Sequence, residues 1–184
     1  MCPEGRLFES VLNRIKVFDG KYLQVDRLIV SLPDGRRVER ETVTVRDSVA
    51  VLPMEADRFV HLVRQHRPAI GKTILEVPAG LIDPGESKEE AAVRECEEET
   101  GYRPGALREL ITYAHAEGYS TGFMTLFLGT NLKQIGHVRP DPNEFIESVT
   151  MPFDELLGLV HSNQIFDSKT ILCVLLSGKI LCAE

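Results

Sequence analysis

Alternating apolar and polar positions mark much of the first half of the chain as β structure. Val17 to Val45 reads as β structure: Leu28, Val30 and Leu32 alternate with other residues, Pro33-Asp34-Gly35 supplies a turn, and the chain returns from Val38 to Val45. Arg36, Arg37, Arg40 and Glu41 on the return predict a strand that largely faces water or a partner. A second hairpin is expected from Ser48 to Met54 and from Arg58 to Gln65, around Glu55-Ala56-Asp57. Thr73 to Val77 reads as a short strand ending at Pro78. The period then changes. Ser87 to Thr100 predicts a helix, with Ser87 and Glu90 spaced as a capping box and Gly101 at the C-terminal stop. Strands are expected over 108–115, 123–129 and 145–151, and helices over 153–162 and 168–178. The order of strands, helix, strands and helices predicts an α+β fold with a mixed β-sheet, not a regular βαβ winding. No internal repeat is present.

Composition narrows the class. The chain has 184 residues, 43% hydrophobic and 27% charged, which suits one globular domain with at most a small appendage. That excludes a disordered chain, a collagen-like repeat and a disulfide scaffold. No apolar run approaches the ~18 residues of a membrane span. Met1 to Val11 contains Glu4, Arg6 and Glu9 and does not read as a secretory signal. The net charge of −7 argues against a nucleic-acid partner. It leaves room for a small phosphorylated substrate, because a divalent cation inverts the local sign. Cys2, Cys96, Cys173 and Cys182 form no C-x-x-C pair, so reduced thiols and a cytoplasmic location are expected. Cys96 and Cys173, among apolar neighbours, read as small core residues.

On the first helix, Glu95, Glu98 and Glu99 fall within a ~100° arc. Ala92, Val93, Cys96 and Thr100 occupy an adjacent arc that can pack on a sheet. Like charges so arranged repel. A hard divalent cation such as Mg²⁺ reverses that penalty, because it takes oxygen ligands from a few carboxylates. Taken alone, Glu97-Glu98-Glu99 also reads as a solvated acidic face.

The spacing of the whole segment favours the metal. Gly80 is followed after five residues by Glu86, and seven residues later by Arg94-Glu95-Cys96-Glu97-Glu98-Glu99-Thr100-Gly101-Tyr102. This resembles the Nudix box, G-x5-E-x7-R-E-U-x-E-E-x-G-U, with U a bulky apolar residue. All seven fixed positions match, and Cys96 is a softer member at the first U. At a usage of roughly 1 in 15 per residue type, seven such matches arise by chance about once in 10⁸.

The resemblance implies an α/β/α Nudix fold and Mg²⁺- or Mn²⁺-dependent hydrolysis of a nucleoside diphosphate derivative. Carried over by position, Glu95, Glu98 and Glu99 and the backbone carbonyl of Ala79 are the implied metal ligands. Glu98 also stands as a base, Arg94 as the residue orienting the glutamates, and Glu86 as the brace of the loop.

Around the box, the chain is similar to the ADP-ribose pyrophosphatase branch. Arg64-Gln65-His66-Arg67-Pro68, Leu75-Glu76-Val77-Pro78-Ala79-Gly80-Leu81-Ile82-Asp83, Leu32-Pro33-Asp34-Gly35 and Asp167-Ser168-Lys169-Thr170 carry that likeness. It implies ADP-ribose cleaved to AMP and ribose 5-phosphate. It also implies a homodimer formed through an N-terminal β extension, residues 1–46, ahead of a hydrolase domain, residues 47–184. Arg64 and Arg67 are candidate phosphate ligands or exposed strand-end arginines. Glu76 is a candidate acceptor for ribose or base, or a strand-end acid. Tyr119 either stacks on a base or packs. Glu144, in the acidic stretch 141–147, is a candidate base or an exposed loop acid. His61 and His115 read as structural histidines. One departure bears on substrate. Where the branch resembles S-P-G-x-S/T-x-E, this chain has Ala116-Glu117-Gly118-Tyr119-Ser120-Thr121-Gly122. Another nucleotide sugar or a dinucleotide is therefore the rival substrate, and a non-catalytic nucleotide-binding module the rival class.

Overall fold

A computed structural model of the chain describes residues 7–136 and 145–182. They divide into two units, residues 7–47 with 114–123, and residues 48–113 with 124–136 and 145–182.

The first unit is a three-stranded antiparallel sheet. Strand β2 (Leu23–Ser31) lies between β1 (Ser10–Asp19) and β3 (Arg37–Val45). Only the end of β1, from Val17, falls within the β structure expected from the sequence, because its apolar residues face water as often as its polar ones. All ten of its residues are exposed or nearly so. Its pairing with β2 shifts register twice, between Val11 and Asn13 and between Lys16 and Phe18. Such bulges twist an edge strand away from indiscriminate pairing. The β2–β3 turn is the one expected at Pro33-Asp34-Gly35, where Gly35 takes a φ of +85° that other residues resist. The segment 114–123 joins β3 through Val43, whose N–H donates to Tyr119 O at 2.7 Å and whose carbonyl accepts from Thr121 N at 3.0 Å.

In the second unit, β4 (Ser48–Pro53) is buried at all six positions. It pairs in parallel with β10 (Phe123–Thr130) and antiparallel with β7 (Ala79–Leu81), and β9 (Ala106–Ala114) lies beyond β10. Val49 and Val51 pack with Phe127 against Ala91, Ala92 and Cys96 of α1 (Lys88–Thr100). On the other face, Ala50, Leu52, Leu126 and Leu128 pack with Phe153 and Leu156 of α2 (Phe153–His161) and Cys173 and Val174 of α3 (Ser168–Leu181). A mixed sheet between helices, as expected, follows from that two-sided apolar strand. A second sheet has the order β12 (Ile146–Pro152), β5 (Phe59–Arg67) and β6 (Lys72–Glu76). The short pair β8 (Tyr102–Arg103) and β11 (Lys133–Gln134) follows α1.

The expected hairpin of Ser48–Met54 with Arg58–Gln65 does not form as a ladder. Only the Met54–Val60 bridge joins them, and β4 and β5 belong to different sheets. Apolar on both faces, β4 takes a central place between two helical layers, where a parallel crossover partner satisfies its backbone. Cys96 and Cys173 are fully buried, and burial pushes the Cys96 thiol up to about 12. Among the described residues no helix is long and apolar enough to cross a membrane.

Candidate active site

Local sequence fixes both ends of α1. Ser87 Oγ accepts from Glu90 N at 3.2 Å, and the Glu90 carboxylate accepts from Ser87 N at 2.9 Å. Gly101 ends the helix in the left-handed region at φ +77°. With Ala92 and Cys96 turned to the sheet, Glu95, Glu98 and Glu99 line the flank of the helix. They differ in environment. Glu99 is buried, Glu95 nearly so, and Glu98 half-exposed.

Arg94 is the hub. Its Nε and Nη2 donate to the two oxygens of Glu86 at 2.8 and 2.9 Å. Its Nη1 reaches Glu95 Oε1 at 2.6 Å and Glu98 Oε2 at 3.3 Å, and Nη2 also donates to Leu81 O at 3.0 Å. The guanidinium bonded through two nitrogens holds the Glu86 carboxyl below its ordinary range. Glu86 in turn raises the Arg94 pKa further. Glu86 Oε2 also accepts from Asp83 N at 3.0 Å, so loop and helix are tied through one carboxylate.

The strand opposite is fastened as tightly. Val77 N donates to Thr170 Oγ1 at 2.9 Å, Pro78 O accepts from Val51 N at 3.0 Å, and Ala79 N donates to Glu99 Oε2 at 3.1 Å. Gly80 lies directly under Glu95. A Cβ there would fall inside the carboxylate, with even its farthest oxygen at 2.6 Å.

Among the described residues no three Asp, Glu, His or Cys side chains converge on a single point, because Arg94 holds Glu95 and Glu98 while Ala79 N–H holds Glu99. The donors nonetheless fit a hard divalent cation. All are oxygens, two carboxylates share one cationic nitrogen, and only glycine leaves room for Glu95 against β7.

The other sequence-predicted residues lie at several places. β5 continues through Arg67, so Arg64 and Arg67 emerge on opposite faces. Arg64 pairs with Glu147, directly across on β12, at 3.0 Å. Arg67 Nε donates to Glu76 Oε1 at 2.8 Å. Glu76 has no exposed surface, and its other oxygen is held by Lys169. Glu76, a candidate acceptor for ribose or base or else a strand-end acid, is thus buried between two cationic side chains. Tyr119 belongs to the first unit and is exposed. Glu144 lies outside the described residues. His61 is buried, with Glu55 at 2.7 Å, Thr150 at 3.0 Å and Tyr102 stacked at 3.8 Å, as a structural histidine should be. Sequence reasoning gave Lys169 and Thr170 no individual role, although Asp167-Ser168-Lys169-Thr170 carried part of the likeness to the ADP-ribose pyrophosphatase branch.

A model of the NUDIX domain matches residues 44–172. The chain belongs to the Nudix family. It is 32% identical over 169 residues to the ADP-ribose pyrophosphatase of Bacillus subtilis (strain 168), covering 91% of each chain. It is 32% identical over 172 residues to the methanol dehydrogenase activator of Bacillus methanolicus, covering 92% of this chain and 93% of that one. The ADP-sugar pyrophosphatase of Mus musculus is 35% identical over 159 residues, 77% of this chain and 72% of its own. A crystal structure of an ADP compounds hydrolase superposes with a TM-score of 0.86 over 97% of this chain and 96% of that one; at 24% identity it establishes the shared fold. The chain is thus a Nudix hydrolase resembling ADP-ribose pyrophosphatases.

Proposed function

We propose that this hydrolase cleaves the pyrophosphate bond of a nucleoside diphosphate derivative in the presence of Mg²⁺ or Mn²⁺, ADP-ribose to AMP and ribose 5-phosphate before others. The observation that carries the reading is the Arg94 clasp, which gathers Glu86, Glu95 and Glu98 beside the Gly80 strand. Glu95, Glu98, Glu99 and the Ala79 carbonyl would hold the ion. When bound, the ion neutralises phosphate oxygens and acidifies a water.

The chain's own residues do the rest. Arg94 aims Glu95 and Glu98 and keeps their like charges from spreading. Ala79 N–H orients Glu99, and the Gly80 hydrogen admits Glu95 to the strand. Glu98, the most exposed of the three glutamates, is positioned to take a proton from water. Glu144 is the alternative base. Arg67, pinned through Nε, offers its remaining nitrogens to a phosphate. Arg64 is the second candidate there, although Glu147 competes for it.

We further propose that residues 1–46 make the chain a cytoplasmic homodimer. Support comes from the edge of β1, unpaired among the described residues, and its exposed Val11, Leu12, Val17 and Phe18. A second substrate reading, a nucleotide sugar or dinucleotide, is favoured by Glu117 and Gly122 in the loop where the branch carries proline and an acid. A panel of ADP-ribose, nucleotide sugars and dinucleotides, with products separated by chromatography, tests the reading. Turnover should vanish in EDTA and return with Mg²⁺. Full turnover in EDTA, or none on any pyrophosphate, would refute it.

A further inference from the structure

The carboxylate of Glu76 is fully buried, and a buried charge needs close partners. It has two. Lys169, itself only 11% exposed, holds Oε2, which leaves Oε1 to Arg67 Nε at 2.8 Å. Lys169 is held in its turn by Asp167 Oδ2 at 2.9 Å. The same oxygen accepts from Thr170 N at 3.1 Å and Thr170 Oγ1 at 3.0 Å. Thr170 Oγ1 also accepts from Val77 N, the residue after Glu76. The first turn of α3 therefore grips the end of β6 twice, once through charge and once through the backbone.

This has a consequence for Arg67. A carboxylate with a single arginine partner draws it into a two-pronged pair that uses two guanidinium nitrogens. Here Lys169 takes one oxygen, and Arg67 is left with one bond through Nε. Among the described residues its Nη1 and Nη2 make no hydrogen bond, and the side chain is 38% exposed. Charge follows the same logic. Lys169 offsets Glu76, and Asp167 offsets Lys169 while capping α3, where helix N–H groups already favour a negative charge. The guanidinium keeps its outer fork for an anion.

We propose that Lys169 is a positioning residue for substrate phosphate. By occupying half of Glu76, it holds Arg67 side-on and presents the two Nη groups outward. The inference rests on the pyrophosphatase reading above, in which Arg67 meets a phosphate. It gives Glu76 an indirect role and Lys169 a function of its own.

The test compares Lys169→Met, Lys169→Arg, Arg67→Ala and the pair Lys169→Met with Arg67→Ala, using the best substrate of the panel in Mg²⁺. Lys169→Met should raise KM about tenfold with kcat within about threefold, the pattern of lost binding rather than lost chemistry. Lys169→Arg should restore most of it. The pair should be no worse in KM than Arg67→Ala alone, since Lys169 acts through Arg67. If Lys169→Met does not fold, Glu76→Gln with Lys169→Met removes both buried charges and should show the same KM rise. Unchanged KM in a folded variant, with only the melting temperature lowered, overturns the proposal and leaves the pyrophosphatase reading intact. Additive effects of Lys169→Met and Arg67→Ala overturn it equally. A wild type without turnover on any pyrophosphate defeats the functional reading and this inference with it.

Discussion

Gly80→Ala isolates the geometry of the glutamate cluster from the stability of the fold. Gly80 pairs with Val49 across β7 and β4, and its φ is not positive, so alanine suits the backbone. The obstacle is Glu95 alone, whose carboxylate overlaps the new Cβ. That group is the end of a flexible side chain and can move. Clearing ordinary contact requires a displacement of roughly 1 Å or more, and it gives up the 2.6 Å bond from Arg94 Nη1. A charge-assisted bond contributes about 1.5–3 kcal/mol, and replacing glycine in a strand returns about 0.5–1 kcal/mol. The net loss of stability is then about 1–2 kcal/mol, or a melting temperature lower by about 2–8 °C. Activity should suffer far more, because misplacing a catalytic group by about 1 Å reduces rate on the order of 10²-fold. Steady-state kinetics in Mg²⁺ beside a thermal melt reads both numbers. The reasoning fails if Gly80→Ala keeps kcat within about threefold of wild type. It fails as well if the variant does not fold, since that would make the glutamate a rigid obstacle.

Glu98→Gln and Glu99→Gln keep size and hydrogen bonding while removing charge, and each should lower kcat at least ~10²-fold in a folded protein; wild-type turnover by Glu99→Gln would remove it from the site. Glu117→Pro should be tolerated and should change the ranking of substrates. Tyr119 N donates to Ala116 O at 3.0 Å, which puts residue 117 at the second position of a turn, where proline fits; a folded variant with every substrate ratio unchanged would dissociate that loop from specificity. The Glu86 carboxyl lies below its ordinary 4.5, chiefly through Arg94, so its stabilisation is present above that pH and is lost as pH falls through the lowered value. The gap in melting temperature between wild type and Glu86→Gln should therefore be widest near neutrality and close in acid; a gap constant with pH contradicts the ion pair. Gly158→Ala, inside α2 with open space around its Cβ, should stabilise by about 0.5–1 kcal/mol and raise the melting temperature by about 1–4 °C; no rise would mean the site is tighter than it looks.

The helix that carries the glutamates was determined by the sequence alone. Ser87, Glu90 and Gly101 act on backbone groups within a few residues of themselves, so their chemistry does not depend on the rest of the chain. The spacing of Gly80, Glu86, Arg94, Glu95, Glu98 and Glu99 was legible for a similar reason, since one helix and its leading loop hold them in register. A strand at Ser48 to Met54 was also expected, but its burial on both faces was not.

What the sequence did not determine was partnership across distance. Nothing local says that β4 lies beside β10 rather than β5, because backbone hydrogen bonds carry no residue label. Most of strand β1, Ser10 to Lys16, was not legible because it has no buried face to impose a pattern. Glu76 read as either a ligand acceptor or a strand-end acid, and nothing near it in sequence foretold its ion pair with Lys169 of α3. Burial is a property of the folded chain and not of a residue. The sequence therefore specified which groups could do the chemistry, while tertiary packing decided which of them stay exposed and which, like Glu76, are buried in ion pairs.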